Sequence, residues 1–453
     1  MIRIYNSMTG AKQVLQPLEP GHVRMYCCGT TVYDYFHVGN ARMLVVFDMV
    51  SRYLRYRNLR VTFVRNITDV DDKIIRRAAE EGIEWRALAD RYTMALHADL
   101  LLLGCLPPDK EPRASSYIPE MLTMIGQLIA RGYAYVANNG DVMYAVRKFA
   151  GYGRLSGKRL EDLQAGARVE VDLAKRDPLD FVLWKSAKPE EPSWPSPWGP
   201  GRPGWHIECS AMSTHELGNH FDIHGGGLDL KFPHHENERA QAVAMGKTFA
   251  NHWMHHQFVV DAEGEKLSKS LGNFTNLLDL IDTMDPRSYR MLLLQSHYRS
   301  PVQANTETVG AAERALTGLD TFVRRAAASG ASGGTRLDEV ARAFARRMDD
   351  DLDTAGAMAI VFDAARRGNA AIDAGDLAAA ADLAATVEDL CSAVGLRLSA
   401  AGEVPAEMVA RAAALDAARA AKDFAAADAI RAELQDAGWV VETAKTGTTV
   451  RRS

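Results

Sequence analysis

Residues 23–42 read VRMYCCGTTVYDYFHVGNAR, and the fold turns on this stretch. Residues 23–28 are apolar apart from one arginine, the composition of a short buried strand. Residues 29–36 are turn-rich. From residue 40 to 57 the apolar side chains Met43, Val46, Phe47, Val50, Tyr53 and Leu54 recur at helical spacing. A second strand, RVTFVRNI, is predicted over residues 60–67. A helix-length crossover between two strands implies parallel pairing, and hence a doubly wound α/β sheet. In such sheets ligands bind outside the carboxyl ends of the strands, and a helix N-terminus attracts phosphate. The loop Thr30–Arg42 occupies that position: His37 can donate to a phosphate oxygen, Gly39 permits close approach, and Asn40 can cap the helix.

Outward from this unit, residues 76–135 are mostly helical, with a break over 104–112. From about 139 to 185 the pattern becomes irregular and strand-like, as in an inserted module. Six prolines between residues 189 and 203 then demand an extended, pre-shaped loop. Regular α/β structure resumes near residue 205, and helices dominate from 285. SGASGGT at 329–335 reads as a flexible hinge or loop, and the chain ends in a strand-like WVVETAKTGTTVRRS. The expected organisation is a split Rossmann-type domain (1–110 and 203–284), an inserted module (111–202), an α-helical bundle (285–400) and a small mixed α/β unit (401–453).

Two further constellations carry chemistry. EKLSKSLGN, at residues 265–273, sets Lys266 and Lys269 three apart among small hydroxyl residues, as suits a loop that closes on a polyphosphate. Nine of the 13 histidines fall between His206 and His256, beside Cys209 and a triple glycine. Cysteine, histidine and carboxylate together favour zinc over magnesium-type oxygen cages. His234 and Glu238 share a face if residues after Pro233 are helical. Residue chemistry alone does not separate Cys28 from Cys27, or the 234/238 pair from His235/Glu236.

The blocks YCCGTTVYDYFHVGNAR, RNITDVDDKI, GDVMY, DPLDFVLWK, EPSWPSPWGPGRPGWHIECSAM, GNHFDIHGGGLDLKFPHHENE and KLSKSLGN occur in that order. With AAADAIRAEL and GTTVRR near the end, they resemble the cysteinyl-tRNA synthetase family of class I aminoacyl-tRNA synthetases over essentially the whole chain. The resemblance implies activation of L-cysteine by ATP, with Mg²⁺, and transfer of cysteine from the adenylate to the terminal adenosine of tRNA(Cys). It implies zinc on Cys28, Cys209, His234 and Glu238. It places His37, Lys266 and Lys269 on the reacting phosphates. ATP is to be held by Thr30, His37, Gly39, Asn40, Gly226, Asp229 and Lys269, and the substrate cysteine by Gly29, Thr68 and Trp205. Arg451 and Arg452, in a C-terminal anticodon-binding unit, are expected to contact tRNA. His206 and His224 are candidates to tune the metal from behind its ligands. A substrate thiolate on the zinc explains why no editing domain is expected.

Asn40 stands where the class often has a second histidine, Leu267 replaces a methionine, and Val450 stands where an aromatic is frequent. The rival reading is a mycothiol-pathway cysteine ligase, which forms the same adenylate but transfers to an amino sugar. The tail beyond residue 400 argues against it.

Composition bounds the rest. The 453 residues carry 53 basic and 58 acidic side chains, a net charge of −5, which excludes bulk positive charge as the hold on nucleic acid. Residues 1–80 hold 12 basic and 7 acidic side chains, whereas residues 301–453 hold 17 and 23. The arginines at 52, 55, 57, 60 and 65 supply much of the N-terminal surplus and are expected to be partly structural; tRNA binding is expected to be modest and salt-sensitive, through local arginines rather than a basic domain. Five cysteines with one adjacent pair fit a reducing, cytoplasmic setting, with Cys105 and Cys391 in the core. The N-terminus has no signal-peptide apolar region, no run reaches membrane-span length, and the family implies a monomer.

Overall fold

The computed structural model describes residues 1–160, 174–261, 263–267, 276–277, 284–399, 406–444 and 447–452. Lys269, with Ser268 and residues 270–275, lies outside the described residues. The chain divides into two compact units. One comprises Met1–Ala312, Asp338–Val361 and Leu390–Leu396; the other comprises Glu313–Leu337, Phe362–Asp389 and Arg397–Ser453.

In the first unit a four-stranded parallel sheet has the spatial order Phe249–His256, His220–Gly227, His22–Cys27, Arg60–Arg65. The strand His22–Cys27 thus has a later strand on one side and the next strand in sequence on the other. Between His22–Cys27 and His220–Gly227 the winding reverses, and a crevice opens at the carboxyl edge there. The crossover helix runs Val38–Tyr56, and Met43, Val46, Phe47, Val50, Tyr53 and Leu54 are all buried as their spacing predicts. Its packing on the sheet uses Gly225: a Cβ there would meet the Phe47 ring at 2.2 Å, so only glycine lets the helix lie this close.

The inserted segment forms an antiparallel sheet of Ala134–Val136, Val142–Tyr144, Phe181–Ser186 and Gly201–Pro203. Its last strand leads through Gly204, whose N–H donates to the Leu183 carbonyl at 2.9 Å, into the helix Trp205–Leu217. The proline-rich loop thereby delivers Cys209 to the sheet edge.

The second unit contains the helices Ala406–Ala420 and Phe424–Asp436 and the antiparallel hairpin Trp439–Ala444/Gly447–Arg452, around Ala412, Leu434 and Val450. Residues 329–335 form a loop between the helices Thr306–Ala328 and Asp338–Met348, and it is packed rather than open. A Cβ on Gly334 would meet the Ala381 backbone, and Thr335 N–H donates to Asp382 at 2.7 Å, so this glycine serves close packing. Cys105 and Cys391 are buried, as expected. Among the described residues no helix is long and apolar enough to cross a membrane.

Candidate active site and metal centre

At the sheet switch point lies a cleft of about 290 Å³. Cys28, Gly29, Thr30, His37, Gly39, Asn40, Trp205, Asp229 and Lys266 all line it, so residues from four separated sequence blocks converge. Thr30 Oγ1 is buried in the wall with no hydrogen-bond partner, a hydroxyl left over for a ligand.

The entrance to the crossover helix differs from expectation in one detail. His37, not Asn40, is the N-cap: its Nδ1 accepts from Gly39 N–H at 3.0 Å. Asn40 occupies the third helical position, and its Oδ1 accepts from the His37 N–H at 3.4 Å, closing a capping box. An accepting Nδ1 requires the Nε2–H tautomer in the neutral ring, so His37 presents a donor on its other edge.

Lys266 Nζ pairs with Asp229 Oδ2 at 2.7 Å and stands 4.6 Å over the Phe258 ring. The lysine segment is moored at both described ends. Leu267 N–H donates to the Val259 carbonyl at 3.0 Å, and Leu277 N–H donates to the Phe36 carbonyl at 3.0 Å. Asn276 bridges His37. Gly226 does not line the cleft; its bare Cα lets His235 and Leu230 pack, and Gly227 is the glycine that faces the cavity.

Behind Cys28 and Trp205 sits a buried cluster. Cys28, Cys209, His234 and Glu238 each offer a ligand atom, all within 4.8 Å of one another; Cys28, His224, His235 and Glu238 form a second such set. His234 and Glu238 lie four apart at the start of the helix His234–Ala244, with His234 Nε2 3.1 Å from Glu238 Oε1. Cys28 Sγ lies 3.2 Å from the same oxygen and 3.4 Å from His224 Nε2. Burial raises the Cys28 and Cys209 thiols above the ordinary range and pushes His234 down to about 3. Burial also opposes the Glu238 charge, but His224 and His234 outweigh it and hold the carboxyl below its usual value. Glu238 Oε2 is buried with only His224 Nε2 near it, at 3.4 Å, and makes no well-formed hydrogen bond among the described residues. Two sulfurs, an imidazole and an under-satisfied carboxylate are a donor set that could bind a metal of zinc's preferences. Trp205 stacks on His234 at 4.3 Å, and His206 Nδ1 lies 3.0 Å from His234 Nδ1, so both orient this ligand.

Thr68 does not line the cleft. It is buried, donating to Glu208 Oε2 at 3.2 Å, while its carbonyl accepts from Val32 N–H at 3.2 Å. Sequence reasoning missed Asn66, whose Oδ1 accepts from Gly29 N–H at 2.8 Å and lies 3.6 Å from Cys209 Sγ. It also missed Lys73, which lines the cleft and stands 5.2 Å over the Tyr33 ring. Lys73 falls inside the quoted DVDDKI block, which was its only signal. Arg451 and Arg452 lie in the final hairpin strand. The arginines at 52, 55, 57, 60 and 65 do not form an open basic patch: they pair with Asp48, Asp109, Asp349, Glu19 and Glu111 respectively.

The parallel sheet, the capped histidine and the lysine segment moored beside it define a class I aminoacyl-tRNA synthetase. A family described as the class I (C) tRNA synthetase catalytic domain matches residues 14–314, and a DALR domain matches residues 343–399. In fold the chain is similar to a solved Mycobacterium tuberculosis methionyl-tRNA synthetase, with TM-score 0.60 at 14% identity over 82% of this chain and 89% of that one. A putative arginyl-tRNA synthetase from Campylobacter jejuni gives 0.55 at 13% identity, over 83% and 94%. Sequence narrows the class. The chain is 55% identical to the cysteine–tRNA ligase of Thioalkalivibrio sulfidiphilus over 100% of both chains, and 53% identical to that of Methylococcus capsulatus, again over 100% of both. The chain belongs to the cysteine–tRNA ligase family.

Proposed function

We propose that this cysteine–tRNA ligase divides its two-step reaction between the buried cluster and the lysine-lined cleft. In the first step the cysteine carboxylate displaces pyrophosphate from ATP to give cysteinyl-adenylate. In the second, a hydroxyl of the terminal tRNA adenosine takes the cysteinyl group and AMP leaves. The adjacency of the Cys28/Cys209/His234/Glu238 cluster to the cleft, with Cys28 belonging to both and the cleft-lining Trp205 stacked on His234, carries this reading.

Cys28, Cys209, His234 and Glu238 would hold zinc, preferred to the alternative set because two sulfurs suit zinc and because His206 and Trp205 already orient His234. The ion, when bound, supplies a thiophilic position that favours the side chain of cysteine over the hydroxyl of serine. Trp205 closes that pocket and Gly29 lets the amino acid lie against the backbone. His37, through Nε2–H, donates to ATP phosphate oxygens; Lys266 and Lys269 neutralise the departing pyrophosphate. Asp229 holds Lys266 until nucleotide arrives, and its carboxylate also suits a ribose hydroxyl. Catalysis is positioning and electrostatics, without a covalent enzyme intermediate. Arg451 and Arg452 contact tRNA phosphates in an anticodon-reading unit over residues 401–453, and the enzyme works in the cytoplasm.

The test measures ATP–pyrophosphate exchange with cysteine and with serine, on zinc-stripped and reloaded protein. Stripping is expected to abolish the preference for cysteine, by roughly 10⁴-fold for a site built on one polar contact. Equal loss of both activities with discrimination intact would reduce the metal to scaffolding. Transfer to an amino sugar rather than to a tRNA transcript would favour the mycothiol-type ligase.

A further inference from the structure

Arg42 is almost fully buried, at 1% exposure, yet no carboxylate among the described residues pairs with it. Its two terminal nitrogens are spent on four backbone carbonyls, while Nε makes no hydrogen bond among the described residues. Nη1 donates to Phe258 O at 2.6 Å; Nη2 donates to Ser300 O at 2.6 Å and Tyr298 O at 3.0 Å, with His297 O at 3.4 Å. Burial without a counter-ion pushes the group down to about 10, so it remains charged at neutral pH. A buried cation held only by carbonyl dipoles is costly, and it persists where those carbonyls must be kept in place.

These carbonyls belong to one seam. Phe258 O also accepts from Val302 N–H at 3.1 Å, and Tyr298 O from Gln257 N–H at 2.9 Å. Val259 and Val260 pair with Val302 and Gln303 in parallel register. The segment 257–260 is the base from which the lysine loop departs: Leu267 hangs on the Val259 carbonyl, Lys266 bridges Val260, and the Phe258 ring lies under the Lys266 ammonium. Arg42 itself sits on the first turns of the helix that His37 caps. One rigid fork therefore ties the phosphate-facing helix entrance to the root of the lysine loop.

We infer that Arg42 is a positioning residue for adenylate formation, holding Phe258 and hence Lys266 in register with His37. The inference rests on the reading of Lys266 as a phosphate-binding group. Lysine cannot replace the fork, because a single ammonium cannot span carbonyls on both sides of the seam.

The test compares Arg42→Lys and Arg42→Ala with the parent enzyme. The readouts are ATP–pyrophosphate exchange (kcat, KM for ATP, KM for cysteine) and amide exchange over residues 257–267. For Arg42→Lys, kcat is expected to fall roughly 10²-fold, as for an ångström-scale misplacement, while KM for cysteine stays unchanged and the 257–267 amides lose protection. For Arg42→Ala, added guanidinium ion, but not ammonium, is expected to restore part of kcat. Unchanged kcat in both variants, parallel changes in kcat and cysteine KM, or failure of both variants to fold each overturns the positioning role. Lys266→Ala in the same assay separates the layers. If it abolishes exchange while the Arg42 variants leave kcat unchanged, this inference alone fails; if it leaves exchange intact, the reading of the loop fails beneath it.

Discussion

Gly29→Ala is a one-carbon change with a calculable consequence. Gly29 follows Cys28 at the end of the strand His22–Cys27, and its N–H donates to Asn66 Oδ1 at 2.8 Å. A Cβ built on Gly29 would stand 1.7 Å from the Asn66 carbonyl oxygen and 2.7 Å from its carbon. An ordinary carbon–oxygen contact is about 3.3 Å, so the two chains must part by roughly 1.6 Å. Neither side yields easily. Arg65 and Ile67, flanking Asn66, donate to Lys110 O and Pro112 O at 3.1 and 2.9 Å, and Cys28 N–H donates to Gly225 O at 3.1 Å. The displacement falls on Cys28 or on the Asn66 side chain beside Cys209, whereas a metal ligand set tolerates about 0.2 Å. If Cys28 and Cys209 hold zinc as proposed, adenylation is expected to fall at least about 10²-fold, with the ion lost to a chelator that leaves the parent loaded. The assay is zinc content against chelator, exchange kinetics, and circular dichroism to confirm the fold. Gly126→Ala, where nothing lies within 4 Å of the added carbon, is the control. Full zinc retention with a parental cysteine KM would refute the reasoning.

Two predictions concern stability. Asp48 accepts from Arg52 Nε and Leu106 N–H and pairs with Arg290 at 2.7 Å, with Asp48 and Arg290 3% and 1% exposed. Asp48→Ala leaves Arg290 buried without its carboxylate and is expected to destabilise by about 3–5 kcal/mol, read by denaturant melting of the first unit. A loss below about 1 kcal/mol would contradict it. Asp99, on the helix Trp85–Leu102, has its carboxyl pushed up to about 6 by burial. A raised carboxyl favours the fold below the unfolded pKa near 4, and that advantage disappears as pH rises through 6. Asp99→Asn is accordingly expected to melt higher than the parent at pH 8, with the difference shrinking to nothing by about pH 4. A difference that grows toward acid pH would show that the asparagine acts by another route.

Much of the site was legible because its signals are local. The apolar spacing from Met43 to Leu54 depends only on helical period, and all six side chains are buried. The pairing of His234 with Glu238 needs only one turn of helix after Pro233. What could not be read is what depends on which strand lies beside which. Cys27 and Cys28 are both buried, at 0% and 2% exposure, and successive strand residues face opposite ways. Choosing between them requires knowing which face carries the helices Trp205–Leu217 and His234–Ala244. Asn66 sits in no chemical motif; it matters because Arg60–Arg65 lies beside His22–Cys27 and so brings it against Gly29 and Cys209. The N-cap moved from Asn40 to His37 because a histidine Nδ1 reaches the second residue after it as well as a shorter polar side chain does.

The N-terminal arginine surplus is expected to be partly structural, and the fold shows how large that share is. The first 80 residues hold a surplus of five basic side chains, which invites a tRNA-facing patch. Yet Arg55 and Arg65 find their carboxylates at 109 and 111, and Arg57 at 349, 292 residues along the chain. A window of sequence counts charges whose partners lie outside the window, so its sign describes folding as much as recognition. The more open of these pairs, such as Arg55–Asp109, contribute little each, but together with the buried Arg65–Glu111 they neutralise the field that a polyanion would feel. Any phosphate contact of this chain must accordingly come from cations that the fold leaves facing a ligand. Lys73 in the cleft meets that condition in a way that the arginine run does not.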